Sequence, residues 1–302
     1  MKPLLICIVG PTAVGKTDLG IKIAKSLNTE IVSADSRQIY KGMNIGTAAP
    51  TDKERQEAKH HFVNFLDPSK TYSAGDFERD ATFFLSEFFK THNVAVMVGG
   101  SGLYVKGVVD GFDHLPSDEN IRQELNDRVE SNGLQSLVEE LTTLDPEMAK
   151  NIDLHNTQRV VRALEVCLSS GKTMTSFLNN SSTERDFDIL QVGLEMPRAE
   201  LQDRIAKRTQ LMIEAGWVAE TEKLTSFSQY NSLRTVGYNE LFAYLREECS
   251  LKDAQEKIVI KTRQFAKRQM TWFKKDERVV WFESKNEIEA LEYCLKFASQ
   301  YE

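Results

Sequence analysis

The segment Gly10–Thr17 carries the residue types and spacing of a phosphate-binding loop. It reads Gly-Pro-Thr-Ala-Val-Gly-Lys-Thr and fits the P-loop pattern of a glycine, four residues and then Gly-Lys-Thr. The apolar run Leu4–Val9 precedes it, so a strand leads into a glycine-rich turn that opens a helix. Backbone N–H groups and the helix dipole attract phosphate there, Lys16 adds a mobile positive charge, and the Thr17 hydroxyl can hold Mg²⁺. The segment therefore predicts a site for adjacent phosphates.

Asp35 is the second residue that could do chemistry. It follows a short apolar segment, Glu30–Ala34, and the carboxyl ends of parallel strands share one edge of a sheet, so Asp35 should face the P-loop. A carboxylate at this place can ligate Mg²⁺, accept a proton or bind a substrate hydroxyl. A helix cap or a surface ion pair is the alternative interpretation.

A glycine-rich turn follows a third apolar run, Val94–Val98. The chain continues as Gly99-Gly100-Ser101-Gly102, with no acidic residue at the end of the strand. P-loop hydrolases usually carry an Asp there that supports Mg²⁺. The glycines let a flat or bulky substrate approach the backbone, although a tight turn between strand and helix explains them equally well.

Residues 257–275 form a basic stretch in an acidic chain. They contain seven Lys and Arg residues and no acid, whereas the whole chain has a net charge of −7. Phe265, Trp272 and Phe273 are interleaved with the charges, and this pattern suits a surface that follows nucleic-acid phosphates. A solvated basic helix is the alternative. We expect the aromatic rings to be core residues, because Phe265 and Phe273 can share a buried face with Ile258.

Two further arginines, Arg159 and Arg162, are three positions apart and share one face of a predicted helix. They can contact phosphate, or they can pair with Glu165 and other nearby acids. The sequence leaves both alternatives open.

The elements that must position these residues follow from the hydrophobic pattern. Apolar strands alternate with amphipathic helices in the first third of the chain; the strands are Leu4–Val9, Glu30–Ala34 and Val94–Val98. One helix is expected over Thr17–Leu27, and Asp76 is expected to cap another. This alternation predicts an α/β fold, a P-loop NTPase-like parallel sheet flanked by helices.

The middle of the chain differs in character. Residues 114–185 are charged, strand-poor and helical in pattern, with a loop at residues 179–182. We interpret them as a helical insertion domain between two parts of the P-loop core, residues 1–113 and 186–302. A strand over Asp188–Leu194, mostly helical residues 198–275, a late strand over Val279–Phe282 and a final helix from about Glu287 complete the core.

The composition limits the class of protein. The chain has 302 residues, of which 41% are hydrophobic and 27% charged, as in ordinary globular proteins. The four scattered cysteines predict neither a zinc site nor a disulfide framework. A uniformly basic nucleic-acid coat is excluded by the net charge, and no window reaches the apolar length of a membrane span. We expect a cytoplasmic monomer that does not associate with membranes.

These segments together resemble one family, the tRNA dimethylallyltransferases, also called tRNA isopentenyltransferases. The resemblance covers nearly the whole chain, and the ordered set of motifs is far more specific than a P-loop alone. We expect a bacterial-type member, because the zinc-finger tail of some eukaryotic members is missing. The matching segments are 10–17, 35–50 (Asp-Ser-Arg-Gln-Ile-Tyr-Lys-Gly-Met-Asn-Ile-Gly-Thr-Ala-Ala-Pro), 98–104 (Val-Gly-Gly-Ser-Gly-Leu-Tyr), 155–166, 215–217, 236–238 and 262–273.

The resemblance implies transfer of a dimethylallyl group from dimethylallyl diphosphate to the exocyclic amine of the adenosine beside a tRNA anticodon. The diphosphate would then be a leaving group, with Mg²⁺ near Thr17. Catalysis is implied for Asp35 as general base and for Lys16, Thr17 and Arg208 at the diphosphate. The residues implied in diphosphate binding are Gly10, Pro11, Thr12, Ala13, Val14, Gly15, Lys16, Thr17 and Arg208.

The resemblance also implies contacts with the tRNA anticodon stem-loop, which the helical insertion would embrace. The residues implied are Asp35, Ser36, Arg37, Gln38, Ser101, Arg122, Gln158, Arg159, Val160, Val161 and Arg162, and the basic stretch adds Lys267 and Arg268. Two other functions fit the P-loop: a small-molecule kinase that uses ATP, and a non-catalytic RNA-binding NTPase switch.

Overall fold

The computed structural model describes residues 2–178 and 183–301, so the loop predicted at 179–182 lies outside the described residues. The chain divides into two compact units. The larger unit contains Met1–Asp110 and Glu184–Glu302, and the smaller unit contains Gly111–Thr183. The smaller unit begins and ends a few residues earlier than the predicted insertion.

A parallel sheet forms the centre of the larger unit. Within the described residues its strands are β1 (Leu4–Val9), β2 (Ile31–Ser33), β3 (His60–His61), β4 (Val94–Val98), β5 (Asp188–Glu195) and β6 (Val280–Glu283). They lie in the order β3-β2-β4-β1-β5-β6, and every pair is parallel. The predicted parallel α/β sheet is confirmed. Its carboxyl edge carries the P-loop, Asp35 and the Gly99-Gly100 turn.

The central strand β1 is buried on both faces. Leu4 lies opposite Val94 of β4 on one side and opposite Asp188 of β5 on the other. Its side chains alternate between two hydrophobic clusters, one on each face of the sheet: Leu4, Ile6 and Ile8 in the first, Leu5, Cys7 and Val9 in the second. Because both faces are covered, the strand is a continuous apolar run, and its bounds are those predicted.

Helices cover the sheet and build the smaller unit. Those of the larger unit are α1 (Lys16–Ser26), α2 (Asp52–Glu57), α3 (Ala74–Phe88) and α4 (Gly102–Asp110), and the smaller unit contains α5 (Glu119–Asn132), α6 (Gln135–Leu144), α7 (Pro146–Asn151) and α8 (Thr157–Ser170). The larger unit resumes with α9 (Arg198–Glu214), α10 (Trp217–Lys223), α11 (Tyr238–Leu245), α12 (Leu251–Phe273) and α13 (Glu287–Ala298). No helix in residues 2–178 or 183–301 is long and apolar enough to cross a membrane.

The start of α3 differs from the prediction. Asp76 was expected as the N-cap, but Ser73 takes that position. The Ser73 hydroxyl accepts from the Asp76 N–H at 3.0 Å, and the Asp76 carboxylate accepts from the Ser73 N–H at 2.9 Å. This reciprocal capping box places Asp76 three residues inside the helix.

Candidate functional site

The P-loop has the predicted strand–turn–helix context. It leaves β1 at Gly10, whose φ is +140°, and a Cβ at this position would collide with the backbone oxygen of Leu194. Ala13 and Gly15 also have positive φ, of 67° and 113°. Gly15 is the N-cap of α1, which begins at Lys16. The turn therefore presents its backbone at the start of a helix, where anions are stabilised.

Lys16 lies in the P-loop with its Nζ donating to the carbonyl of Pro11 at 2.8 Å. Burial lowers the pKa of Lys16 to about 7; the positive charge of Arg208 acts in the same direction, and Asp35 opposes both. A bound anion would favour the charged form of Lys16.

Arg208 reaches the P-loop from α9. Its Nη1 donates to the Thr12 hydroxyl at 3.5 Å. Burial lowers the pKa of Arg208, and the neighbouring Asp35 carboxylate raises it. Two cations from distant parts of the sequence, Lys16 and Arg208, therefore border the same cavity beside the P-loop.

Asp35 follows β2 and has two different oxygens. Its Oδ1 accepts from the backbone N–H groups of Arg37 at 2.9 Å and Gln38 at 3.3 Å, so it caps a turn and not a helix as in the alternative interpretation. Among the described residues, Oδ2 makes no hydrogen bond. Because Asp35 lines two cavities, this second oxygen is available to a ligand.

Two cavities meet at the P-loop. The larger, of about 740 Å³, is bordered by Lys16, Thr17 and the Gly99-Gly100 turn. The smaller, of about 250 Å³, has an apolar part formed by Ile205, Trp217, Val236 and Ile258. Seven residues line both cavities: Thr12, Ala13, Asp35, Thr47, Arg208, Met212 and Phe265. Phosphate-binding groups, a carboxylate and an apolar wall thus converge on one junction.

Phe265 is predicted to be a core residue, and the structure shows that this prediction is wrong. Its side chain is 39% exposed and lies at the cavity junction, whereas Ile258 and Phe273 are buried as expected. The helical period puts residues 258 and 265 on nearly the same face of α12. At Phe265, however, that face opens into the cavity instead of meeting another helix.

Gln269 lies in the matching segment 262–273 and borders the larger cavity, although the sequence assigns it no role. Its Oε1 accepts from the Thr12 N–H at 2.8 Å, and its Nε2 donates to the Gly100 carbonyl at 2.9 Å. The available signal is a polar residue in the buried stripe of α12, which otherwise consists of Ala254, Ile258, Ala266 and Phe273.

The residues after Asp35 that are expected to bind tRNA form hydrogen bonds with other parts of the protein. The Ser101 hydroxyl accepts from the Ser36 N–H at 2.9 Å and joins the turns after β2 and β4. Arg37 donates to the carbonyls of Asn231 and Ser232. Gln38 donates to the carbonyls of residues 47 and 48. The side chains of Arg37 and Gln38 therefore shape the site.

Glu220 of α10 holds the wall of both cavities. Its carboxylate accepts from three consecutive backbone N–H groups, those of Asn44, Ile45 and Gly46, at 2.7–2.9 Å. The Tyr238 hydroxyl donates to the same carboxylate at 2.6 Å, and burial and the Glu220 charge raise the pKa of Tyr238. Glu220 thereby fixes loop 44–46. The sequence does not predict this role of Glu220.

In the smaller unit, Arg122 and Arg162 pair with Glu165. Its carboxylate is fully buried and receives a bidentate contact from Arg122 at 2.9 and 3.0 Å and an ion pair from Arg162 at 3.0 Å. Arg162 also donates to the carbonyls of residues 115 and 116. Of the two alternatives for Arg162, phosphate contact or pairing with Glu165, the structure shows the pairing.

The other residues of α8 that were expected to contact tRNA differ in their burial. Val160 and Val161 are buried in the core of the smaller unit with Leu125. Gln158 and Arg159 are exposed at the start of α8. The two valines stabilise the unit, and tRNA contact stays a prediction for the exposed pair.

The basic part of α12 has an exposed face with charged and aromatic side chains. Lys267, Arg268, Thr271, Trp272 and Lys275 line a shallow groove together with Gln264. Trp272 is 41% exposed, so the expectation that it is a core residue is wrong. The Arg268 guanidinium lies 5.9 Å from the centroid of the Phe265 ring. This face can contact both phosphates and flat bases.

The donor set for a divalent cation is small. Across residues 2–178 and 183–301, no group of three or more His, Cys, Asp or Glu residues could hold a metal ion. The Thr17 hydroxyl borders the larger cavity and makes no hydrogen bond to a described residue. These features fit Mg²⁺, which keeps waters and takes phosphate oxygens beside few protein ligands.

Comparisons with known proteins identify relatives over nearly the whole chain. The family model "IPP transferase" matches residues 38–276. A tRNA dimethylallyltransferase of Christiangramia forsetii is 47% identical, with 97% of this chain and 98% of the relative covered. The tRNA dimethylallyltransferase 1 of Bacteroides thetaiotaomicron is 44% identical, with 96% and 95% covered.

Solved structures are similar over the same length. The tRNA isopentenylpyrophosphate transferase of Bacillus halodurans is 36% identical with a TM-score of 0.73, and 99% of each chain is covered. A eukaryotic dimethylallyltransferase acting on tRNA has a TM-score of 0.78 at 24% identity, with 93% of this chain and 74% of that chain covered, and shows the shared fold. The chain therefore belongs to the IPP transferase family, whose members include the tRNA dimethylallyltransferases.

Proposed function

We propose that this enzyme transfers a dimethylallyl group from dimethylallyl diphosphate to the exocyclic amine of the adenosine beside a tRNA anticodon. Family membership supports the reaction. The observation that carries the mechanism is the cavity junction, where Asp35 and Arg208 lie beside the P-loop residues Thr12 and Ala13. A diphosphate on the loop and an amine near the carboxylate would meet at this point.

The P-loop would hold the diphosphate as a leaving group. Lys16 and Arg208 stand ready to neutralise the charge that develops on the departing oxygens, and they act in a partly buried site where electrostatic interactions are strong. No attacking water has to be positioned, which agrees with the absence of an acidic residue after β4. The apolar part of the smaller cavity suits the uncharged portions of the substrates.

Asp35 would act as the general base. Its Oδ1 is held by the turn N–H groups, which leaves Oδ2 to take a proton from the attacking amine. Adenine's amine is a weak nucleophile, so much of the rate should come from holding it in line with the allylic carbon. The target base must leave the anticodon-loop stack to enter the site.

The Thr17 hydroxyl, diphosphate oxygens and waters would hold Mg²⁺. When bound, this ion supplies further positive charge at the leaving group. Lys16 and Arg208 bind the same diphosphate from the protein side, so the chain's own cations orient it.

The exposed face of α12 would contact the tRNA through Lys267, Arg268 and Trp272. Its concentration of basic residues in an acidic chain supports this assignment. Gln158 and Arg159 in the smaller unit are proposed as additional contacts, because both are exposed at the start of a helix.

A label-transfer assay tests the proposal. Purified protein is incubated with dimethylallyl diphosphate carrying a radiolabelled hydrocarbon chain and with unmodified tRNA, and label is expected in adenosine after nuclease digestion. A tRNA with another base in place of the target adenosine is the matched control. If no label transfers, while ATP yields phosphate transfer or RNA-stimulated hydrolysis, the P-loop serves a kinase or an NTPase instead.

A further inference from the structure

Gln269 lies where α12, the P-loop and the turn after β4 meet. Its two hydrogen bonds, to the Thr12 N–H and the Gly100 carbonyl, are 2.8 and 2.9 Å long. A backbone N–H can only donate and a carbonyl can only accept, so the amide has a single orientation that satisfies both. The side chain is 6% exposed, which keeps water from replacing these bonds.

The contacts of Gln269 continue to a cation of the site. Thr12, whose N–H is held by Gln269, accepts a hydrogen bond from Arg208 through its hydroxyl. The Gly100 carbonyl, Gln269, Thr12 and Arg208 thus form one chain of contacts. A shift of Thr12 would move the tip of the P-loop and the group against which Arg208 rests.

The surroundings of Gln269 are shaped for an amide. A Cβ at residue 100 would collide with Nε2, so only glycine lets the amide reach the carbonyl. On α12 the neighbouring buried residues are Ala266 and Phe273. An amide among such residues is unfavourable unless both of its ends are hydrogen-bonded, and an apolar side chain would satisfy the helix better. Its polarity therefore serves the two backbone contacts.

We infer that Gln269 is a positioning residue for the transfer reaction, which sets the P-loop tip against the Gly99-Gly100 turn and thereby determines the affinity for the donor's diphosphate. The inference rests on the proposed function, because it names a determinant of donor binding at the same site. Gln269 acts through Thr12 and Arg208, without contacting the reacting atoms.

Three variants separate this role from simple packing. Gln269→Glu keeps the shape of the side chain, and its carboxylate still accepts from the Thr12 N–H. When the carboxylate is ionised, its second oxygen faces the Gly100 carbonyl and the two repel each other. When it is protonated, its O–H donates to that carbonyl as the amide does. Gln269→Leu removes both bonds at every pH. Gln255→Glu is the matched control, since it adds the same charge to α12 at a residue that lines neither cavity.

The measurements are kcat, the KM values for dimethylallyl diphosphate and tRNA, and the affinity for inorganic pyrophosphate, from about pH 5.5 to about pH 8. Relative to wild type at the same pH, Gln269→Glu should bind diphosphate about tenfold or more weakly at the upper end and near-normally at the lower end. Gln269→Leu should be weaker by a similar factor throughout. Gln255→Glu should match wild type, and the KM for tRNA should not change.

The inference is overturned if neither Gln269→Glu nor Gln269→Leu binds pyrophosphate more weakly than wild type at any pH, or if kcat falls while pyrophosphate affinity is retained. Thermal unfolding confirms that each variant is folded. If Gln269→Leu does not fold, the Glu variant decides the question alone, since its two pH states compare one folded protein with itself. Failure of the proposed function looks different: wild type would bind pyrophosphate but transfer no label.

Discussion

At the residue scale, the site contains one cation, Lys16, whose ionisation is close to physiological pH. The lowered pKa of Lys16, about 7, means that the free protein loses this charge as the pH rises. The diphosphate needs the charged form, so above about pH 7 binding must be accompanied by proton uptake, and affinity should decline by up to tenfold per pH unit.

Titration calorimetry with inorganic pyrophosphate, from about pH 6 to about pH 9, measures this decline. Lys16→Met should bind more weakly and should lack the decline. The ligand's own ionisation affects both proteins equally, so the ratio of the two profiles isolates Lys16. Parallel profiles for the two proteins would contradict the assignment.

Asp35 gives a second prediction at this scale. Asp35→Asn keeps an oxygen that accepts from the Arg37 and Gln38 N–H groups but loses the proton acceptor, so kcat should fall by about 10²- to 10⁴-fold with little change in tRNA affinity. Asp67→Asn is the control: Asp67 caps a turn at Ser69 in the same way and borders neither cavity. Near-normal turnover by Asp35→Asn would exclude Asp35 as the base.

At the scale of elements, loop 44–46 depends on the carboxylate of Glu220. In Glu220→Ala three backbone N–H groups lose their acceptor. Those of Ile45 and Gly46 are partly buried, and leaving a buried donor unsatisfied costs about 1–3 kcal/mol. Transfer activity should fall by tenfold or more, and added formate should restore part of it by occupying the vacated N–H groups.

Glu222→Ala on the same helix controls this prediction, because Glu222 is exposed and its side chain makes no contact with the loop. It should keep its activity and show no response to formate. A folded Glu220→Ala protein that formate does not help would indicate that the carboxylate does not position the loop.

The elements also show what the sequence can predict. β1 and β4 have their predicted bounds, because a buried parallel strand is an unbroken apolar run. The observed N-cap of α3 is Ser73, three residues before the predicted Asp76. Both side chains can cap a helix, and only the three-dimensional turn determines which of them does. Local sequence patterns thus predict which helices and strands form, but they predict the first and last residues of these elements less accurately.

The residues of the candidate site are easier to predict from the sequence than the contacts between them. The P-loop and Asp35 follow strand ends and are found by that position. Gln269 lies in the matching segment 262–273, but its partner Thr12 is 257 residues away, and Glu220 contacts a loop about 175 residues away. The sequence therefore does not predict either contact. Phe265 was misplaced because helical periodicity identifies a face without showing whether a helix or a cavity covers it.

At the scale of the whole molecule, an acidic protein must bind an acidic polymer. The net charge of −7 opposes RNA at long range, so the basic face of α12 should carry much of the electrostatic attraction. Lys267→Ala and Arg268→Ala should each weaken tRNA binding and reduce the slope of log affinity against log salt by about 0.7–0.9.

Fluorescence anisotropy with labelled tRNA at several salt concentrations measures these slopes. Lys296→Ala on α13 removes an exposed charge elsewhere and should leave the slope unchanged. Equal slopes for all the variants would mean that the basic face of α12 is merely solvated.

The hydrogen bond between Thr12 and Gln269 also has a consequence for biosynthesis. The P-loop residue Thr12 is made 257 residues before the side chain that accepts its hydrogen bond. At roughly 5–20 residues per second, the loop waits roughly 13–50 s for the side chain that holds it. During that interval the nascent P-loop lacks its contact with Gln269, so its tip is fixed against the Gly99-Gly100 turn only after α12 has been synthesised.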